Sequence, residues 1–301
     1  MQAFLFISLT HVAQTGKYVA TAGRTHIGTF QLVRQIRAGQ TCQLWLAMNS
    51  ATNQRVALKI LKDDFRRDRN EIAQLKHEFT VGSQFNNPHI IKIFEFNVAE
   101  KIPFLALEFF GPRNLKQVLN EGIAQLAPHV PRFVEYGASG LGYLHSQGWL
   151  HRDVKPDNFM INENGNVKLI DFSLAQRSKK GLARLFGRSK VQGTRSYMAP
   201  EQIRGEVLDE RTDVYSFGCT IYELVHGRPP YTAESANDLL NKHLKSSVPI
   251  LKESHGVTEE FSNLVSRLMA KDPKVRPSSM QDVLTEFKQI KVFRNPPSTH
   301  A

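Results

Sequence analysis

The 301-residue chain is 41% hydrophobic and carries a formal net charge of +11. That apolar content fills one large or two-lobed domain, which excludes a chain disordered throughout. Its two cysteines, Cys42 and Cys219, exclude a disulfide framework and a cysteine-based zinc site, and they fit a reducing, cytoplasmic location.

Residues 1–29 show no sustained hydrophobic period and are read as a poorly ordered extension. The apolar run Phe4–Leu9 has no preceding Lys or Arg and no small-residue cleavage site, so it is not read as a secretory signal. Strand-like patterns follow at Phe30–Ile36, Gln43–Ala47 and Val56–Ile60, with Asn49, Ser50 and Asn53 as turn residues, and predict an antiparallel meander. Helical spacing over Asn70–Gln84 and further strands at Ile90–Phe96 and Phe104–Phe109 complete a small sheet with one helix. Beyond Gly111-Pro112 helical patterns dominate, at Phe133–His145, Asp213–Val225 and Phe261–Met269, with short strands near Phe159 and Val167. Residues 293–301 read as a disordered tail, and no stretch approaches the roughly 20 apolar residues of a membrane span.

The charge is local. Between Phe172 and Pro200 stand Arg177, Lys179, Lys180, Arg184, Arg188, Lys190 and Arg195 with no acid, seven of the eleven excess positive charges. So confined an excess, without a recognised nucleic-acid module, does not point to nucleic acid. Leu182, Leu185 and Phe186 are interleaved with these cations, and are expected to pack against the protein rather than enter a membrane surface.

The most specific motif is His151-Arg-Asp-Val-Lys-Pro-Asp-Asn158, followed by Lys168-Leu-Ile-Asp-Phe-Ser173. Together they resemble the protein kinase family, and the wording around Tyr197–Gln202 and Asp209–Tyr215 is most similar to its bacterial Ser/Thr members. The resemblance implies an α+β, bilobal fold: a sheet lobe over 30–107, a hinge at 108–112 and a helical lobe over 113–292. It implies ATP and Mg2+ as cofactors and a protein with a Ser/Thr acceptor as substrate. Phosphoryl transfer needs in-line positioning and charge neutralisation more than covalent chemistry, and these residue types supply both.

By that resemblance Asp153 takes the proton of the acceptor hydroxyl, Lys155 faces the transferring phosphate, and Asn158 and Asp171 hold magnesium, a hard cation suited to oxygen ligands. Lys59, the one cation in the apolar run Val56–Ile60, is expected to pair with Glu78, with Glu71 as an alternative. Gly39, Ile36, Leu44 and Ala57 are expected around the nucleotide, Leu107 behind the adenine, and Glu108 and Phe110 at the hinge. Glu201 and Arg276 are expected to form an anchoring ion pair, and Asp213 to hold the catalytic-loop backbone.

The phosphate-covering loop departs from Gly-x-Gly-x-x-Gly, with Arg37 and Cys42 at the outer positions, and Ser173 replaces the glycine after Asp171-Phe172. These departures leave a weakly binding scaffold open as the alternative to an active enzyme. Arg152 precedes Asp153, and in the family such an arginine pairs with a phosphate. Ser178, Ser189, Thr194 and Ser196 are the candidate acceptors, with self-association for autophosphorylation expected between Ser178 and Ser189.

Overall fold

The computed structural model describes residues 25–178, 189–252 and 255–295. The N-terminal lobe is built from β1 (His26–Ile27), β2 (Phe30–Ala38), β3 (Cys42–Asn49), β4 (Arg55–Leu61), helix α1 (Arg69–Gly82), β5 (Ile93–Ala99) and β6 (Ile102–Glu108). The strands form one antiparallel sheet in the order β1-β2-β3-β4-β6-β5. Strand alternation in β4 sorts its side chains to two buried faces. Val56, Leu58 and Ile60 join Phe30, Trp45 and Phe104 on one side, while Ala57 and Leu61 join Leu75, Val81 and Leu105 under α1. Lys59 shares the parity of Ala57 and Leu61, so it points toward the helix.

Helix α1 begins where the Asp68 carboxylate accepts from the N–H groups of Asn70 and Glu71. Leu75, Glu78 and Gly82, spaced at three and four residues, form its inward stripe with Val81.

The sheet starts before the boundary expected at residue 30. Ile27 pairs with Phe30 and is only 2% exposed, but two residues carry too little period to be read in sequence. The strand expected from Ile90 begins at Ile93; Ile90 instead bridges Leu169, and Ile91 N–H donates to Leu169 O, tying the lobes together.

The C-terminal lobe contains β7 (Arg113–Asn114), α2 (Leu115–Glu121), α3 (Ile123–Leu126), α4 (Val130–Ser146), β8 (Trp149–Leu150), β9 (Phe159–Ile161) and β10 (Val167–Leu169). After β11 (Gln176–Arg177) come α5 (Pro200–Ile203), α6 (Glu210–His226), α7 (Ala236–Lys245), α8 (Glu259–Leu268) and α9 (Met280–Phe287). Every residue of α6 from Thr212 to Val225 is buried, making it the pillar of the lobe. It starts on the Asp209 cap and stops at Gly227, whose φ of 88° favours glycine. The core continues past the boundary expected at residue 292: Phe293 bridges Val257, and Arg294 N–H donates to Gly256 O. The expected packing of Leu182, Leu185 and Phe186 lies outside the described residues, as do most of residues 1–29.

Candidate active site

Between the lobes lies a cleft of about 300 Å³, lined from above by Ile36, Gly39, Leu44, Ala57 and Lys59 and from below by Lys155, Asn158 and Asp171. Glu78, Leu107, Glu108 and Phe110 also line it, so the expected nucleotide residues converge on one cavity. Ile91, Met160 and Ile170 line it too and were not anticipated. Met160 stands two residues after Asn158 and Ile170 directly before Asp171, so closeness to the motif residues is the signal that could have found them.

Lys59 Nζ lies 2.6 Å from Glu78 Oε2 and 3.8 Å from Asp171 Oδ1. Glu78, about two turns past Glu71 and on the inward stripe of α1, is thus the carboxylate that reaches the lysine. Burial disfavours the Lys59 ammonium, but Asp171 and Glu78 outweigh it and hold its pKa above the ordinary lysine value. Burial raises Glu78 to about 7, with Lys59 counteracting. Burial also opposes ionisation of Asp171, yet Lys59 and the hydrogen bonds from Ser173 prevail and hold it at about 2. Asp171 is therefore an anion held beside a cation.

The loop after β8 is fixed from beneath. Asp213, fully buried in α6, accepts from His151 N–H and Arg152 N–H at 2.8 Å each and from His145 Nε2 at 2.8 Å. Arg152 is held at φ 69° and Asp171 at φ 65°, a left-handed backbone that non-glycine residues adopt when their surroundings impose it. His151 Nε2 lies 3.1 Å from Ile170 O, linking this loop to the Asp171 strand.

These supports present Asp153. Its Oδ2 accepts from Lys155 Nζ at 2.6 Å and from Asn158 Nδ2 at 3.2 Å, and its Oδ1 accepts from Thr194 N–H at 2.8 Å. Lys155 also donates to Thr194 Oγ1 at 2.7 Å, so this hydroxyl is engaged in the site. Gly193, at φ 125°, lets the chain approach closely enough: a Cβ there would lie 2.9 Å from Arg152 O. Asn158 uses its NH2 on Asp153, which leaves Oδ1 as the end suited to a cation near Asp171.

Phe172 is fully buried against Phe85, with ring centroids 5.4 Å apart, and beneath Gly82 of α1. Arg37 Nη2 reaches 3.7 Å from Asp157 Oδ1 across the cleft mouth. Cys42 is half-buried, and burial pushes its thiol pKa up, opposite to an activated nucleophile. Glu108 turns its carboxylate to Lys168, 2.7 Å from both oxygens, and its N–H donates to Lys92 O.

Glu201 and Arg276 meet at 2.7 and 3.0 Å in a buried bidentate pair. Arg152 donates from Nη2 to Lys190 O at 2.7 Å, while its buried Nε has no hydrogen-bond partner among the described residues. Ser178 N–H donates to Gly148 O and Ser189 N–H to Gly205 O, placing both ends of the basic segment on the helical lobe. Ser196 lies in a short 3-10 turn, Arg195–Tyr197, beside Thr194.

A bilobal fold, a lysine–glutamate pair above the cleft and a carboxylate-bearing loop below it define the protein kinase class. The sequence agrees: residues 30–288 match the protein kinase domain family, and the chain belongs to that family. It is 30% identical over 270 residues to a probable serine/threonine-protein kinase PknB of Bifidobacterium longum, covering 86% of this chain and 39% of that protein. It is 28% identical over 267 residues to the serine/threonine-protein kinase PrkC of Bacillus subtilis, covering 88% and 41%. With PknB of Mycolicibacterium smegmatis the identity is 30% over 270 residues, covering 87% and 43%. The chain thus spans about two-fifths of the length of these relatives.

Proposed function

We propose that this chain transfers the γ-phosphoryl group of ATP to Ser/Thr hydroxyls of proteins. The observation that carries the reading is the convergence of Lys59, Glu78, Asp171, Lys155 and Asn158 on one cleft, with Asp153 bonded to Lys155 and Asn158 at its edge.

In this reading the adenine lies between Ala57 and Met160, beside the hinge, with Leu107 behind it. Lys59, oriented by Glu78, neutralises the α- and β-phosphates. Magnesium, when bound to Asn158 and Asp171, supplies charge stabilisation to the phosphates. Asp153 orients the acceptor hydroxyl and takes its proton. The acceptor oxygen bonds to Pγ as the bond from Pγ to the bridging oxygen breaks, and ADP leaves. Lys155 offsets the charge on the transferring group, and Thr194 holds both Lys155 and Asp153 in register.

Arg152 is the proposed docking point for a phosphate on the following segment, with Ser178 and Ser189 as acceptors and a second copy of the chain as donor. Its buried guanidinium has no partner at Nε among the described residues and donates from Nη2 to a backbone carbonyl, which suits a side chain that gains an anion later. Among the described residues no helix is long and apolar enough to cross a membrane. A cytoplasmic site of action is proposed on the two unpaired cysteines.

The test is incubation with magnesium and γ-labelled ATP beside Asp153→Asn and Lys59→Ala. Label is expected from wild type alone, with the Asp153 variant down by about 10²–10⁴-fold. Absence of both labelling and nucleotide binding would favour the scaffold alternative raised by Arg37, Cys42 and Ser173.

A further inference from the structure

Glu223, near the end of α6, is fully buried, and both its oxygens are taken. Lys116 of α2 places Nζ 2.5 Å from Oε1, and the Tyr197 hydroxyl donates to Oε2. This group sits beside the reacting loop. Asn114, the cap of α2, donates from Nδ2 to Asp157 O at 3.1 Å, and Tyr197 lies three residues after the Thr194 that binds Asp153. A buried carboxylate here, left open, would receive a cationic side chain of an incoming polypeptide. Lys116 fills that role from within the chain, and about a third of its own side chain remains exposed.

The other carboxylates around the cleft mouth are engaged likewise. Glu121 holds Arg113 at 2.6 Å, Asp157 faces Arg37 at 3.7 Å, and Glu108 is held by Lys168. Glu234, exposed in the groove that Thr194 lines, shares that groove with Arg195. On the cationic side Lys190 and Arg195 are exposed and belong to none of these pairs, two cations against the one exposed carboxylate of Glu234. An acceptor polypeptide approaching Asp153 therefore meets a rim with a net positive excess, its other carboxylates being paired from within the chain.

From this we infer that the cleft takes acidic acceptor segments, with Asp or Glu flanking the hydroxyl, and that Lys116 sets the preference by cancelling Glu223. The inference rests on the kinase reading above. The attraction acts on substrate approach and binding, so it belongs to KM and is weakened by salt.

Three peptides of equal length, with one shared Ser acceptor flanked by Glu, Ala or Arg, are compared for kcat/KM alongside autolabelling of the chain in the same reaction. The expected order is Glu over Ala over Arg, about fivefold per charge at low salt and compressed at high salt. Lys116→Met should narrow the gap by uncovering Glu223, raising the Arg peptide and lowering the Glu peptide, whereas Lys116→Arg should keep the wild-type order. A melting curve shows whether each variant is folded, and the wild-type order stands as a test by itself. An Arg preference or a flat order in wild type, with autolabelling intact, overturns the inference alone. An unchanged order in folded Lys116→Met overturns the part assigned to Lys116. Absence of any labelling overturns the kinase reading, and this inference with it.

Discussion

Asp213 Oδ1 accepts the backbone N–H of Arg152 at 2.8 Å, although the two residues stand 61 positions apart. The contact matters because Arg152 has a left-handed backbone, φ 69°, immediately before Asp153. Asp213 offers two oxygens to three donors, and burial of the carboxylate is opposed by His145 and by the backbone donors, which lower its pKa. Asp213→Asn confronts at least one of these N–H groups with an NH2. We expect a loss of about 3 kcal/mol or more in urea unfolding and a fall in labelling by any active preparation, since Asp153 loses its platform. Unchanged stability would show that the loop holds its own conformation.

Glu201 and Arg276 predict a purely structural effect. The Arg276 side chain is fully buried, and it also donates to Ala270 O, Arg211 O and Lys271 O. Glu201→Ala leaves that guanidinium without its counter-charge, which should cost about 3–5 kcal/mol in chemical denaturation. The double variant Glu201→Ala, Arg276→Met should recover part of the loss, because a buried charge without a partner is worse than none.

Gly82 sets the spacing between α1 and Phe172. A Cβ there would overlap Ile93 Cδ1 and lie 2.8 Å from Phe172 Cδ2. Overpacking costs about 1–3 kcal/mol, and the better helix propensity of alanine returns roughly 1. Gly82→Ala is therefore expected to destabilise by about 1 kcal/mol, with nucleotide affinity reduced because Phe172 adjoins Asp171. Melting temperature and nucleotide titration together check this.

His243 predicts a pH dependence. It is fully buried, its Nδ1 lies 2.9 Å from the Tyr215 hydroxyl, and Lys271 stands across the same cluster on Tyr231. Burial, then Lys271, lowers its pKa to about 3 from 6.5. In that window the unfolded chain binds the proton and the folded one does not, so stability rises with pH. The contribution is present above about 6.5 and is lost as pH falls toward 3, at about 1.4 kcal/mol per unit. His243→Phe should flatten this part of a stability–pH curve. An unchanged slope would assign acid sensitivity to other groups.

How much of this was legible beforehand depends on distance along the chain. Five strands of the N-terminal sheet, α1 and the long helices of the second half announce themselves because a two-sided or one-sided apolar pattern repeats within a few residues. Helix α7 was not anticipated: Leu239, Leu240 and Leu244 line its inner side with His243, but a stripe this short, in a polar ten-residue segment, carries too little period to be read in sequence. The β1 strand is two residues long and is defined only by pairing with β2.

At the site the sequence by itself determined which residue types stand at which spacing: a lysine inside an apolar strand, Asp153, Lys155 and Asn158 in one short loop, and Asp171 ahead of Phe172. Its resemblance to the kinase pattern favoured Glu78 as the partner of Lys59 and kept Glu71 as the alternative, since each has the chemistry to face a lysine. The tertiary structure agrees with Glu78, which α1 places inward, 2% exposed, above Lys59. It also decided that Glu108 spends its carboxylate on Lys168 and that Lys116 covers Glu223. The reason is physical: local pattern records what each residue can do, whereas the partner of a buried charge is set by which distant element folding brings within about 3 Å.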